Sequence, residues 1–269
     1  MINLITSLNS ELYKKYGKNF FESYERFSAN DIQLIVVFEG EIPQQLVKKY
    51  KKINFIRFNN EKHSRFLSYF GHFLEAKGLR IQESNTNQFS LNWDYRFDAI
   101  RFSFKIFSID IVRNLLENNS PFAWIDADVK CLKNFSSKEL LYFMPDEDQL
   151  MSYLGRTHFP LAPSTPYSEC GFLGFNPNHP YTNNFIDRMI EIYCSGEIFS
   201  KKEWHDSWIW DEVRREFEQK SIKFKNISGK YSHTHHPFIN CGLGNFFDHL
   251  KGPTRKEAGK SFEDDYSQI

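Results

Sequence analysis

Apolar residues follow two alternating rhythms through the first half of the chain. Short runs rich in β-branched and aromatic side chains, Ile2 to Leu8, Ile32 to Phe38 and Ile53 to Phe58, predict strands. Between them lie an amphipathic stretch from Glu11 to Phe27 and a helix from about Pro43 to Tyr50, where Pro43 suits a first helical turn. Ser84 to Asn92 is polar and Asn-rich and predicts a loop. Tyr95 to Leu116 predicts one long helix, with Phe97, Ile100, Phe104, Phe107, Ile111 and Leu115 as its apolar positions. Pro121 to Ile125 is then a buried central strand that stops at Asp126.

The second half is less regular. Leu150 to Leu154 and Gly171 to Asn176 predict strands, and the Pro-containing stretch His158 to Tyr167 predicts a loop. Helices follow at about Tyr181 to Tyr193 and Asp206 to Gln219, and roughly the last 20 residues are polar and expected to be loosely ordered. Strands alternating with helices predict an α/β protein with βαβ units and a largely parallel sheet. Ligands of such sheets sit beyond the carboxyl ends of the strands, so chemistry is expected in the loops after Leu8, Phe38 and Ile125. No internal repeat or long linker divides residues 1–269, which read as a single domain.

Charge narrows the function. Lys and Arg number 34 and Asp and Glu 34, so no general electrostatic grip on nucleic acid or an anionic membrane is indicated. Cys131, Cys170, Cys194 and Cys241 form no C-x-x-C pair, which argues against a zinc knuckle and for free thiols in a reducing compartment. The first residues lack a basic segment followed by a long apolar one, and no run approaches the roughly 20 apolar residues of a membrane span. A soluble, cytoplasmic protein is expected. The 28 Phe, 13 Tyr and 5 Trp serve a core or a sugar-binding surface equally well.

Asp126-Ala127-Asp128 is the strongest chemical signal. Two carboxylates two residues apart at an extended strand end point the same way and can face one cation. Hard divalent ions prefer such oxygen ligands and complete their shell with substrate phosphates. The plainer reading is a solvated turn, but the buried-looking strand directly before the triplet favours a metal site.

The triplet and its place after the fourth or so strand resemble the D-x-D motif of GT-A glycosyltransferases, a Rossmann-like mixed sheet flanked by helices. The resemblance runs from the first strand to about Lys256. It implies a metal-dependent transfer of a sugar from a nucleotide-diphosphate donor, expected to be UDP-linked, to a hydroxyl of a glycan or other acceptor. A hexosyl- or pentosyl-transferase of glycan biosynthesis is the implied enzyme. Asp126 and Asp128 would hold Mn²⁺ or Mg²⁺, with Asp126 also meeting the donor. Residues 1–130 would then be the nucleotide-binding half, 131–250 the acceptor side and 251–269 a basic C-terminal loop and tail.

Other segments are read in that light. Arg101 and Lys105, four apart on one helix face, resemble the basic segment before the D-x-D strand and would reach the ribose, the diphosphate or the aspartates. Their alternative is two solvated charges. Glu169 opens Glu-Cys-Gly-Phe-Leu-Gly-Phe-Asn, which resembles the strand lining the acceptor and donor-sugar side; it would be a catalytic residue hydrogen bonding the sugar, or is part of a Gly-containing core strand. Trp204-His205-Asp206-Ser207 resembles a W-H-D-[ES] segment. Asp206 there would be the catalytic base or orient the acceptor, or would simply cap the helix. His249-Leu250-Lys251-Gly252-Pro253-Thr254-Arg255 resembles the H-x-x-G-x-x-K of glycogenin-like enzymes, with Arg255 for Lys and no Pro-Trp after it. His249 would complete the metal shell, and Lys251, Arg255 and Lys256 would face the diphosphate. Thr6, Ser7 and Glu39 sit by position where the nucleoside is cradled. His233-Thr234-His235-His236 lacks further ligands at metal spacing and reads as a loop or strand end.

Competing enzyme classes fit less well. A haloacid-dehalogenase-type phosphatase would want Thr two places after the second Asp, where Lys130 stands. A nucleotidyltransferase would want a tight Gly-rich basic loop after the first strand, and Lys14, Lys15, Gly17 and Lys18 do not form one. A non-catalytic sugar-nucleotide or carbohydrate-binding protein of the same fold is the alternative from outside the enzymes.

Overall fold

The computed structural model describes residues 1–83, 89–117, 120–157 and 167–266. The chain order is β1 (Ile2–Leu8), α1 (Ser10–Leu12), a π-helical turn over Tyr13–Gly17, α2 (Lys18–Phe27), β2 (Ile32–Phe38), α3 (Gln44–Lys49), β3 (Ile53–Arg57) and α4 (Glu61–Phe70). It continues with β4 (Leu79–Glu83), β5 (Phe89–Trp93), α5 (Ala99–Arg113), β6 (Phe122–Ile125), β7 (Val129–Cys131), α6 (Ser137–Leu141), β8 (Gln149–Leu154) and β9 (Glu169–Phe175). Then follow α7 (Thr182–Cys194), α8 (Asp206–Glu218), β10 (Lys223–Asn226), α9 (Pro237–Asn240), β11 (Phe247–His249) and α10 (Pro253–Ala258).

Seven strands form one sheet in the order β10-β8-β9-β6-β1-β2-β3. All its pairings are parallel except those of β9, which runs antiparallel to both β6 and β8. The largely parallel sheet that the hydrophobic rhythm predicts is present, and the antiparallel β9 makes it the mixed sheet flanked by helices that the resemblance implies. Alternation along β1 and β2 divides the core between the two faces. Leu4, Leu34 and Val36 pack with Phe20, Phe21 and Tyr24 of α2, whereas Ile5, Ile35 and Val37 pack with Ile106, Phe107 and Ile109 of α5 and with α7 and α8. Both faces of the central strands are therefore covered, which is why those strands read as nearly continuous apolar runs.

Three expectations change. The predicted helix from Tyr95 is interrupted at Asp98, whose carboxylate accepts the Arg101 N–H and the Trp93 indole N–H, so α5 starts afresh at Ala99. Phe89 to Asn92 is strand β5, paired antiparallel with β4, where a loop was expected; residues 84–88 lie outside the described set. The polar C-terminal segment is folded. Pro253–Ala258 is helical, Asp248 accepts the N–H and hydroxyl of Ser261, and Arg255 is clamped on Asp265. The predicted loop His158 to Tyr167 falls outside the described residues up to 166.

What matters for the site is the antiparallel insertion. Because β9 runs against β6, its first residues come to the carboxyl end of β6, and the Asp126 N–H donates to Gly171 O at 3.0 Å. Beside them the short β7–β11 ribbon pairs His249 with Val129, and the Leu250 N–H donates to Asp128 O at 2.8 Å. Three stretches far apart in sequence are thereby fixed around one point.

Candidate metal centre

At that point Asp126, Asp128 and His249 present ligand atoms that all lie within 4.8 Å of one another. His249 Nε2 is 3.3 Å from Asp128 Oδ1 and 3.6 Å from Asp126 Oδ2. Two ligands about 2.1 Å from one ion and at right angles lie about 3 Å apart, so this spacing suits a shared divalent cation. Two carboxylates and an imidazole are also a suitable donor set for Mn²⁺ or Mg²⁺.

Cations interlock with these groups. Lys105 Nζ, on α5, is buried 2.9 Å from Asp126 Oδ1 and 2.5 Å from Asp206 Oδ2, and donates to Cys170 O at 2.8 Å. The Trp124 indole N–H donates to Asp126 Oδ1 at 2.6 Å. Lys256 Nζ lies 2.6 Å from Asp128 Oδ2 and 4.7 Å above the Tyr16 ring. Lys251 Nζ approaches Glu169 Oε2 to 3.6 Å.

The electrostatics follow from these pairings. Burial alone would raise the Asp128 carboxyl, but His249 and Lys256 outweigh it and hold it below the usual carboxylate range. Burial alone would lower His249, but Asp128 and Glu169 raise it to about 10. Burial opposes charge on Asp206 and Lys105 too, yet Asp126 and then Asp206 raise the amine, and Lys105 lowers the acid.

The residues singled out in the sequence separate into groups. Lys105, Asp126, Asp128, Glu169, Asp206, His249, Lys251 and Lys256 share one continuous network. Glu39 and Ser7 meet at the carboxyl ends of β2 and β1, and the Asn9 amide donates to Glu39 at 3.3 Å; burial raises the Glu39 carboxyl to about 7 against these hydrogen bonds. Thr6 is buried on the same strand face as Leu4 and Leu8, and its hydroxyl has no hydrogen-bond partner. Arg101 stacks near the rings of Trp93 and Phe102. Arg255 is taken by Asp265 and the Lys251 carbonyl, so the base that meets Asp128 is the next residue, Lys256.

The Trp204 to Ser207 segment is built tightly. His205 caps α8, its Nδ1 accepting the Trp208 N–H at 3.4 Å, and its Nε2–H donates to Glu203 at 2.8 Å. Trp204 packs edge-on against Phe97 and Phe199 and donates to Lys201 O. Two network members were not assigned to the site from the sequence. Arg156 stands in an irregular stretch, and His236 was visible only as part of a histidine cluster. Both reach Glu169, at 2.8 Å and 3.3 Å.

No protein-family model and no curated protein sequence matches the chain. Solved structures are similar in shape. Mouse xyloside xylosyltransferase 1 matches at 13% identity and a TM-score of 0.45, over 84% of this chain and 85% of that one. The glycosyltransferase GlyE of Streptococcus pneumoniae matches at 8% identity and 0.47, over 84% of this chain but 45% of its own. The galactosyltransferase LgtC, in complex with donor and acceptor sugar analogues, matches at 11% identity and 0.46, over 84% and 74%. Likeness at this level transfers no residue roles to this chain.

Proposed function

We propose that the chain is a metal-dependent glycosyltransferase that moves a sugar from a nucleotide-diphosphate donor, UDP-linked in the simplest case, to a hydroxyl of a glycan acceptor. The observation that carries this reading is the face made by Asp126, Asp128 and His249, with Lys256 against Asp128, beyond the carboxyl end of a central parallel strand. A divalent cation bound there supplies charge neutralisation for a departing diphosphate.

The chain's own groups take the remaining roles. Lys256 is the cation placed beside Asp128 to face a phosphate oxygen, and Lys251 is the second basic group next to the same cluster. Lys105 fixes Asp126 and Asp206 in one geometry from a buried position, so neither swings when substrate arrives. Asp206, held ionised by Lys105, is assigned to orient a sugar hydroxyl; the same pairing makes it a weak proton acceptor. Ser7, Asn9 and Glu39, at the ends of the neighbouring strands, are assigned to the nucleoside.

Thermal-shift assays with UDP-, GDP- and CMP-sugars, each with and without Mn²⁺, test the reading on the wild type and on Asp128→Ala. A ligand that binds the native state alone raises its stability. A shift that requires both the metal and Asp128 is expected. The absence of any metal-dependent shift, or an unchanged shift in Asp128→Ala, would overturn it.

A further inference from the structure

The two nitrogens of His249 face different neighbours. Nε2 looks onto Asp126 and Asp128, while Nδ1 lies 2.9 Å from Glu169 Oε1. A histidine binds a cation through one nitrogen most firmly when a carboxylate takes the proton of the other, which fixes both the tautomer and the ring orientation. We propose that Glu169 is a positioning residue of the metal centre, holding the His249 ring so that Nε2 faces the cation; the inference rests on the metal-dependent reading above.

Glu169 is built for this and is closed to a substrate. It is 4% exposed. Oε1 accepts from His249, and His236 Nε2 stands 3.3 Å from both Oε1 and His249 Nδ1, while Oε2 accepts from Arg156 at 2.8 Å and faces Lys251 at 3.6 Å. Arg156 is itself tied to the His235 carbonyl at 2.9 Å. The His249 ring is also confined by shape. A Cβ on Gly171 would sit 2.9 Å from its Cε1, and the Phe238 and His236 rings lie 4.9 and 5.2 Å from it, centre to centre.

The first three residues of β9 each hold one part of the centre. Glu169 holds His249, the Cys170 carbonyl holds Lys105, and the Gly171 carbonyl holds the Asp126 N–H. Glu169, His236 and His249 also bring ligand atoms within 4.8 Å of one another, a set with the spacing for a second cation. Arg156 and Lys251 on the same carboxylate oppose a further positive ion there. One metal per chain is the consequence.

Calorimetric titration of Mn²⁺ and histidine-¹⁵N NMR of the Cd²⁺-loaded protein test this together. In the wild type, one ion per chain is expected, with His249 metal-bound at Nε2 and protonated at Nδ1. Glu169→Gln keeps an acceptor and should weaken Mn²⁺ about tenfold, and Glu169→Ala, which keeps none, by up to about 100-fold. Wild-type affinity in both variants, His249 bound through Nδ1, or a second ion that disappears in His236→Gln would each overturn the proposal. If Glu169→Ala fails to fold because Arg156 is left unpaired, the wild-type spectrum and Glu169→Gln still decide. A wild type that takes up no Mn²⁺, or an Asp128→Asn variant that binds it equally well, instead removes the metal-dependent reading itself.

Discussion

Lys105 shows how a single side chain can be legible in a sequence while its environment is not. Its helical spacing from Arg101 pointed at the aspartates, but only the fold reveals that Lys105 turns inward between Asp126 and Asp206 and Arg101 does not. Removing one partner of a buried charge pair costs about 3–5 kcal/mol, because the remaining charge is left without compensation. Lys105→Met should therefore lose stability on that scale in urea denaturation, well beyond the effect of Arg101→Met on the surface. His63 gives the opposite case. It is enclosed by Phe58, Phe104 and Phe107, donates to Ser103, and burial lowers it to about 4. The unfolded chain takes up that proton near pH 6.5, so stability should fall as pH drops from 6.5 towards 4, by roughly 3 kcal/mol at most. Urea titrations across that window should show a shallower decline for His63→Leu than for the wild type.

Elements were predicted well where packing on the sheet dictates the rhythm, as in β1, β2, β6 and α7. They were missed where three or four residues are held by long-range pairing, as in β7 and β11, whose strands exist only because each supplies the other's hydrogen bonds. The same blindness hid the site's third wall. Glu169 was visible as the acidic start of a strand, but that β9 runs antiparallel, and so returns its first residues to the end of β6, has no signature in composition or spacing. The tail misled for a related reason. Its polarity is real, yet Asp248, Ser261, Arg255 and Asp265 satisfy one another once brought together. At this scale Gly171→Ala is the informative change. The added methyl would press on His249 and on Phe238 Cδ2, 3.0 Å away, so an overpacking loss of about 1–3 kcal/mol is expected, with weaker Mn²⁺ binding by calorimetry.

For the whole molecule, the cluster is nearly balanced without any metal. Asp126, Asp128, Glu169 and Asp206 are matched by Lys105, Lys256, Arg156 and Lys251, with His249 between them. Without a metal, His249 stays protonated well above neutrality, and its contribution to stability is complete below pH 6.5 and lost as pH rises through about 10. Binding a cation through Nε2 at pH 7.5 must expel about one proton, so affinity should rise with pH. Calorimetry in buffers of different ionisation enthalpy measures that proton directly. Among the described residues no helix is long and apolar enough to cross a membrane. The order of the parts along the chain has a consequence for biosynthesis. All seven strands of the main sheet, ending with Lys223–Asn226, precede His249 and Lys256, so the sheet leaves the ribosome before either residue. A nascent chain can pair its main sheet while Phe238, Leu243 and Phe247 of the core are still to come, and on the metal-dependent reading proposed above tight capture of the ion is deferred until His249 has emerged.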